Sequence, residues 1–545
     1  MMDHRKMSNR VLLALMGSAI LATSAHGGVV VRAPAGAVEG QVSEGVVSFK
    51  GLPYAQPPVG DGRWRAPQPI APWDGVRDAS QFGAACIQPI SRPGSIYASP
   101  LEKIDEDCLF LNIWAPEKAE KAPVIVWIHG GSLVTGAGHE AMYDGNTLAS
   151  RDAVVVTINY RLGVLGYMAH PELSAENPQN ISGNYGLLDQ VRALEWVRDN
   201  IAAFGGDPEN VTIAGESAGA LSVMYLMATP KARGLFHKAI LQSAYMISTP
   251  ELRGSTHGEL PAEEGGRLLG EKLGRDLAGL RAMDANELTL AAIANAFGPW
   301  GAVDGEILTR QLVDTFDRGE QAQVPVLAGY NEGEIRTLRF LAPLPPKSAD
   351  DYEKAIRARY GDLADEFLRL NPSADMAESV QTSVRDMLYG WTAHRLVKKQ
   401  TATGQQGFLY YFDHAYPSAT AAGLEAFHAA EIPYVFGTFD RTPVMWPRPK
   451  VTVAEGRISE ALGDYWLSFA RSGEPASNNG PQWPAYGTDK SYLLIGDELS
   501  VGRDQAPGMY ELNEEVVCRR IQQGGIPWNW NVGLWAPEGV NGSCK

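Results

Sequence analysis

Short apolar runs recur along the chain and alternate with segments whose apolar residues have helical spacing. Six of these runs have the length and the richness in branched and aromatic residues that are typical of buried strands. They cover residues 124–129, 154–160, 211–215, 239–242, 324–330 and 408–412. Strands that alternate with helices in this way predict an α/β fold with a mostly parallel central sheet flanked by helices.

Two longer segments, residues 243–320 and 341–403, mix charged and apolar residues at helical spacing and contain no strong strand runs. We interpret both as helical insertions that shape a pocket over the sheet. The tail after Pro507 has three tryptophans but little secondary-structure pattern, so we expect it to be irregular. No repeat or low-complexity linker divides the chain, which predicts a single domain over residues 26–545.

The first 25 residues have the order and size of a secretory signal peptide. Basic residues near the start precede an uncharged run over residues 11–22, and small residues follow as far as Ala25. The run is shorter than the roughly 20 residues that a membrane-spanning helix needs, and an uncleaved anchor is the alternative. We therefore expect a secreted or periplasmic protein with no membrane anchor after the signal is removed.

The formal net charge is -16 at pH 7. A negative field of this size disfavours binding to phosphate backbones and to anionic membranes, so we expect no nucleic-acid partner. An acidic surface is also common among soluble secreted proteins, and solubility is the simplest role for the charge.

The chain has four cysteines, which fits an oxidising compartment. Four cysteines allow three pairings, and free buried thiols are a further alternative. We predict Cys86 with Cys108 and Cys518 with Cys544, because pairing between neighbours along the chain needs the least loop closure.

Gly215-Glu216-Ser217-Ala218-Gly219 follows a predicted strand and precedes a helical run over residues 220–227. This is the setting of a nucleophile elbow, a turn so tight that glycines must flank the serine. The alternative is a glycine-rich turn with a capping serine. Glu216 is expected to be a buried supporting carboxylate.

A serine hydroxyl becomes nucleophilic only when a base removes its proton and a carboxylate orients that base, in the chain order Ser, acid, His for such an elbow. His394, His414 and His428 lie far enough downstream of Ser217. A solvated helix face is the expected place of His394, and His414 follows a strand that it can cap. His428 lies in a loop of small residues and is favoured as the base.

Three carboxylates are candidates for the acid. Glu334 follows the predicted strand 324–330 by one short loop, from which a carboxylate can reach across the top of the sheet. Glu332 and Asp304 are the rivals. A plain surface role is the usual one for any single glutamate.

An anion site is predicted where His129-Gly130-Gly131-Ser132 follows the strand 124–129. Small residues there let main-chain N–H groups approach a developing oxyanion. The N–H groups of Gly131, Ser132 and Ala218 would supply three donors. Taken alone, a Gly-Gly pair after a strand is more often an ordinary turn.

Together these residues resemble the type-B carboxylesterase family, and the match runs from about Gly36 to Trp483. The motifs that carry the resemblance occur along this chain in the order in which the family has them. They are Phe49-Lys50-Gly51-Leu52-Pro53-Tyr54-Ala55, Pro57-Pro58-Val59-Gly60, Arg63-Trp64, Glu106-Asp107-Cys108-Leu109-Phe110-Leu111-Asn112, His129-Gly130-Gly131, Asn159-Tyr160-Arg161, Phe204-Gly205-Gly206-Asp207-Pro208 and Gly215-Glu216-Ser217-Ala218-Gly219.

The resemblance implies an α/β-hydrolase fold and a single catalytic domain, with Ser217 as nucleophile, His428 as base and Glu334 as acid. It also implies the Cys86–Cys108 disulfide, whereas the Cys518–Cys544 pair is inferred from spacing alone.

The chain departs from the family pattern at several positions. Ser132 stands where the family usually has a third glycine, and Leu133 where it has an aromatic residue. Ile335 follows the acid where a glycine is usual, which keeps Glu332 as an alternative. The loop between Cys86 and Cys108 contains no tryptophan. Choline esters, which cholinesterases hold by cation-π contact with such a residue, are therefore disfavoured.

The expected reaction is hydrolysis of a small-molecule carboxylic ester through an acyl-enzyme, with no cofactor and no metal. The same residues acting on an amide, a thioester or a lactone are an alternative. A non-catalytic binding relative is another alternative, whose signature would be loss of the serine or the histidine, and both residues are present.

Overall fold

The computed structural model describes residues 28–90, 94–528, 530–539, 542 and 544. The predicted signal peptide, residues 1–25, lies outside them. Fifteen strands form in the described part of the chain. They are β1 (Val29–Ala33), β2 (Gly36–Ser43), β3 (Val46–Pro53), β4 (Val76–Asp78), β5 (Ala85–Cys86), β6 (Ile104–Asp105), β7 (Phe110–Pro116), β8 (Ala122–Ile128), β9 (Val154–Ile158), β10 (Gly206–Glu216), β11 (Lys238–Gln242), β12 (Val326–Asn331), β13 (Gly407–Phe412), β14 (Ser491–Ile495) and β15 (Leu499–Arg503).

One large sheet contains thirteen of these strands. Its order is β1-β2-β3-β7-β9-β8-β10-β11-β12-β13-β14-β15, with β4 paired to β2. Neighbours from β9 to β14 in this order are parallel, and antiparallel pairs flank them on both sides. The six predicted strand runs correspond to β8 through β13, and the prediction of a mostly parallel central sheet is confirmed.

Helices follow most strands of the parallel part. They are α1 (Asn146–Ala149), α2 (Gly163–Tyr167), α3 (Pro171–Ala175), α4 (Tyr185–Asn200), α5 (Ala218–Ala228), α6 (Ala262–Leu273), α7 (Leu277–Arg281), α8 (Ala285–Ala294), α9 (Leu312–Asp317), α10 (Glu334–Thr337), α11 (Ala349–Tyr360), α12 (Ala364–Leu370), α13 (Met376–Arg385), α14 (Trp391–Ala402), α15 (Pro417–Ala421), α16 (Ile432–Phe436), α17 (Val453–Ser472) and α18 (Met509–Gln523). The first predicted insertion contains α6 to α9 and the second contains α11 to α14, so both are helical as expected.

The central strand β8 shows why the strands of this sheet appear in the sequence as continuous apolar runs. All seven of its residues are buried. Val126 belongs to a core cluster that includes Leu194 of α4, and its neighbour Trp127 belongs to a second cluster that includes Leu462 of α17. Because helices cover both faces, both sets of alternating side chains must be apolar.

The expectation of an irregular tail after Pro507 is wrong for residues 509–523, which form α18. Leu512 and Val516, one helical turn apart, are buried in a cluster with Tyr352 and Ile356 of α11. Polar residues, two of them glutamates, fill the positions between them and obscure the apolar stripe in the sequence. Residues 525–544 contain only one short 3-10 turn in their described part.

Both predicted disulfides are present. Cys86 pairs with Cys108 and Cys518 pairs with Cys544, with Cα atoms 4.9 Å and 6.1 Å apart. Within the ranges that the structure describes, no helix is both long enough and apolar enough to cross a membrane.

Candidate active site

The predicted site residues follow strands that end at one edge of the sheet. Gly215 of β10 lies beside Ile128 of β8, and Gln242 of β11 lies beside Gly329 of β12. The loops that follow these parallel strands therefore meet above the carboxyl ends, where α/β sheets usually bind their ligands.

Ser217 forms the tight turn between β10 and α5. Its φ of 56° and ψ of -122° lie in a sparsely populated region for a residue with a side chain, and Ser217 N donates to Gln242 O at 2.9 Å. A Cβ at Gly219 would collide with the Ile128 carbonyl of β8, so the helix can start this close to the sheet only with glycine there. The turn lifts Ser217 above the sheet while leaving its side chain nearly buried.

The Gly-Gly loop after β8 lies directly against this turn. A Cβ at Gly130 would come within 2.8 Å of the Glu216 carbonyl oxygen and 3.2 Å of the Ser217 Cβ. Gly131 and Ser132 have φ values of 103° and 58°. The described residues supply no main-chain acceptor for the N–H groups of Gly131, Ser132 or Ala218, so these donors remain free to bind an anion.

Glu334 and His428 are in direct contact in the structure. Oε2 of Glu334 forms a short hydrogen bond with Nδ1 of His428, and Oε1 accepts from Asn331 N at 2.8 Å. The two loops that carry them are joined by hydrogen bonds from Asn331 Nδ2 to Phe427 O at 2.9 Å and from Gly333 N to Ala426 O at 2.8 Å. Both side chains are buried, which fixes the imidazole orientation.

The rival carboxylates lie elsewhere. Glu332 faces two arginines, with Oε1 3.6 Å from Arg385 Nη1 and 3.9 Å from Arg336 Nη2. Asp304 accepts from Asn184 Nδ2 at 3.0 Å and from three N–H groups of the turn that follows it. Of the three candidate acids, only Glu334 contacts a candidate histidine in the described structure.

The other two histidines have structural partners. His414 contacts Glu455 of α17 at 2.8 Å and Asp497 at 3.0 Å, in keeping with its predicted hydrogen-bonding role. The prediction of a solvated His394 is wrong, because α14 is covered by the sheet and by α18. His394 is 2% exposed and lies 3.0 Å from the Tyr486 hydroxyl. No cluster within the described ranges is arranged to hold a metal ion.

The Nε2 atom of His428 faces Glu216, the residue before Ser217. Nε2 of His428 lies 3.0 Å from Oε1 of Glu216. In the described part of the chain Ser217 Oγ has no hydrogen-bond partner, His428 included. Free enzymes often hold such pairs loosely, and the hydrogen bond tightens only when substrate binds.

The carboxylates around His428 set its protonation. Burial lowers the pKa of His428, but Glu216 and Glu334 outweigh burial and raise that pKa to about 9. Burial raises the pKa of the Glu216 carboxyl to about 8, against the opposing effect of His428. Each group therefore acts on the pKa of the other: the Glu216 carboxylate raises the pKa of His428, and the charged imidazole lowers the pKa of Glu216.

Sequence reasoning missed several residues that support His428. The Tyr97 hydroxyl donates to His428 O at 2.8 Å from within the loop that the Cys86–Cys108 bridge closes. The Tyr389 ring lies 5.4 Å from the imidazole. Neither contact joins segments near each other in the chain. The disulfide-closed loop was the one sequence signal that could have drawn attention to Tyr97.

A buried polar network lies beneath the site. Glu431, three residues after His428, accepts from Gln242 Nε2 at 2.9 Å and from Asn331 Nδ2 at 2.6 Å. Gln242 in turn accepts from Trp466 Nε1 at 2.9 Å. The network ties the ends of β11 and β12 to the histidine loop and to α17, which holds the edge of the sheet rigid below the reacting groups.

Comparison with known proteins shows which family and which relatives the chain is similar to. A model of the carboxylesterase family matches residues 28–512. The fumonisin B1 esterase of Sphingopyxis macrogoltabida is 36% identical over 483 residues, which cover 86% of each protein. The para-nitrobenzyl esterase of Bacillus subtilis (strain 168) is 36% identical over 479 residues, 86% of this chain and 95% of that protein.

Solved structures of esterases are also similar to this chain. A PNB esterase structure superimposes with a TM-score of 0.78 at 33% identity and covers 89% of this chain and 99% of its own. The Geobacillus stearothermophilus carboxylesterase at pH 6.2 gives 0.69 at 33% identity over the same shares. These likenesses confirm the α/β-hydrolase fold. The chain therefore belongs to the carboxylesterase family and is a carboxylic ester hydrolase of type B.

Proposed function

We propose that Ser217 attacks the ester carbonyl while His428 takes its proton and Glu334 holds the imidazole in the required tautomer. The N–H groups of Gly131, Ser132 and Ala218 bind the oxyanion of the tetrahedral intermediate. The protonated His428 then gives its proton to the departing alcohol, which leaves an acyl group on Ser217. Water activated by the same histidine resolves the acyl-enzyme.

The contact between Glu334 and the Nδ1 atom of buried His428 is the observation that carries this assignment. A carboxylate on Nδ1 leaves Nε2 as the only ring atom that can act on a hydroxyl. Nε2 faces Glu216 at the end of β10, directly before the serine turn, so it lies on the side of the imidazole from which Ser217 would be deprotonated.

The proposal predicts that a fluorophosphonate probe labels the purified protein once, at Ser217, and that p-nitrophenyl acetate is hydrolysed with an initial burst of p-nitrophenol. Peptide mass spectrometry locates the label, and stopped-flow absorbance detects the burst. Labelling at another residue, or turnover that survives complete labelling, would contradict the assignment.

Replacement Glu216→Gln is predicted to move the acid limb of the kcat/KM profile to lower pH by about one unit or more. His428 must be neutral to accept a proton, so this limb follows its pKa, which Glu216 helps to raise. Removing that negative charge lowers the pKa, and the neutral base persists to lower pH. Initial rates on p-nitrophenyl acetate from pH 5 to 10 would measure the shift.

Glu140→Gln is the matched control, because Glu140 is a partly buried glutamate whose pKa burial raises, to about 7. Its carboxylate accepts from Ser99 Oγ and Ala137 N, and it has no contact with His428. The acid limb should stay in place in this variant. An upward shift or no shift in Glu216→Gln would count against Glu216 as the group that holds the pKa of His428 up.

We further propose that the protein acts outside the cytoplasm. The two disulfides support this, since such bonds persist in oxidising compartments, and so does the signal-like sequence of residues 1–25. N-terminal sequencing of the mature protein from an exported fraction tests it. Recovery of a chain that still begins at Met1 would contradict export by cleavage.

A further inference from the structure

The chain after α18 crosses both helical insertions. We call its described residues 525–528 and 530–539 the C-terminal strap. Gly525 N donates to Thr256 O of the first insertion at 2.8 Å, and Gly533 N donates to the Tyr360 hydroxyl of α11, in the second insertion, at 2.8 Å. The strap is thus attached at each end to a different insertion.

The middle of the strap is anchored by Trp528. This side chain is fully buried, its ring lies 6.0 Å from that of Trp391 in α14, and its carbonyl accepts from Arg520 Nη1 at 3.1 Å. Two residues further on, Trp530 has a side chain that is only partly buried. The buried Trp528 thus anchors the strap next to a second, more accessible indole.

Trp530 lies between two other aromatic rings. Its ring is 5.9 Å from Trp300, at the end of the first insertion's α8 loop, and 6.2 Å from Tyr245, just after β11. Trp300 also lines a surface cavity of about 370 Å³ together with Leu268 and Phe297. The rings of Trp530 and Trp300 thus form an apolar wall that borders this cavity on the side of Trp300.

The same wall continues inward to the catalytic base of the proposed mechanism. The Tyr245 ring is 6.0 Å from Tyr389, and the Tyr389 ring is 5.4 Å from His428. A row of rings therefore leads from His428 through Tyr389 and Tyr245 to Trp530. An apolar substituent that extends from an ester held at Ser217 along this row would reach the strap.

We propose that Trp530 is a specificity-determining residue that binds the distal aromatic or long alkyl part of the ester, an inference that rests on the proposed function. The carboxylesterase family match ends at residue 512, before the strap begins. Trp530 thus lies outside the residues that the family model matches. Aromatic and apolar groups stack on such a ring with loss of exposed apolar surface.

The test compares two esters with the same leaving group, p-nitrophenyl acetate and p-nitrophenyl 4-phenylbutanoate. In Trp530→Ala we expect KM for the phenylbutanoate to rise about tenfold with kcat nearly unchanged, because the lost contact binds ground state and transition state alike. The acetate, which is too short to reach the strap, should keep both constants within about twofold. Trp530→Phe, which retains a ring, should recover most of the phenylbutanoate affinity.

Trp535→Ala is the matched control, since Trp535 lies on the same strap but is 46% exposed. It should leave the ratio of kcat/KM for the two esters unchanged. An equal effect of Trp530→Ala on both esters, no effect, or a lower KM for the phenylbutanoate would overturn the inference. A parent protein that hydrolyses neither ester would instead overturn the proposed function, whereas Ser217-dependent turnover with an unaltered ratio in Trp530→Ala overturns the inference alone.

Discussion

Ser217→Ala is expected to lower kcat for p-nitrophenyl acetate by about a million-fold, the order found when the nucleophile of a serine relay is removed. Without Oγ no acyl-enzyme forms, and neither His428 nor the main-chain donors can replace it. Steady-state assays at high enzyme concentration would measure the residual rate, and the variant should also resist fluorophosphonate labelling.

Ser243→Ala is the control for Ser217→Ala. Ser243 directly follows the neighbouring strand β11 at the same edge of the sheet, is fully buried, and has an Oγ with no hydrogen-bond partner in the described structure. Removing that oxygen breaks no bond, so activity should change by less than about threefold. Thermal unfolding of both variants checks that each is folded. A folded Ser217→Ala protein that hydrolyses esters at the parent rate would refute the mechanism.

The sequence predicted the centre of the fold better than its edges. β8 and its neighbours are buried on both faces, so they appear as uninterrupted apolar runs. In α18, by contrast, only a narrow stripe that includes Leu512 and Val516 is apolar, and charges surround it. Packing against α11 stabilises this helix, and packing between distant segments leaves little trace in a local pattern.

The sequence predicted those site residues that directly follow a strand. Position after a strand selected Ser217 and the Gly-Gly loop, but it left three acids and three histidines open. The contact between Glu334 and His428 spans 94 residues and depends on hydrogen bonds that join their two loops. Tyr97 reaches His428 from a segment with no catalytic motif, and only the folded chain brings it there.

Replacement of the acid distinguishes Glu334 from Glu332 directly. Glu334→Gln keeps the shape of the side chain but removes its charge, so it can no longer stabilise the imidazolium or enforce the tautomer with a proton on Nδ1. We expect kcat for p-nitrophenyl acetate to fall about ten-thousand-fold, as for the equivalent change in a serine relay. Stopped-flow and steady-state rates would measure this loss.

Glu332→Gln is the matched variant two residues away. It weakens long, largely buried ion pairs with Arg385 and Arg336 that do not contact His428, so a lower Tm with nearly normal kcat is expected. The reverse result, in which Glu332→Gln loses activity and Glu334→Gln retains it, would transfer the role of acid to Glu332. Equal large losses in two folded variants would mean that the Glu334–His428 contact does not by itself define the relay.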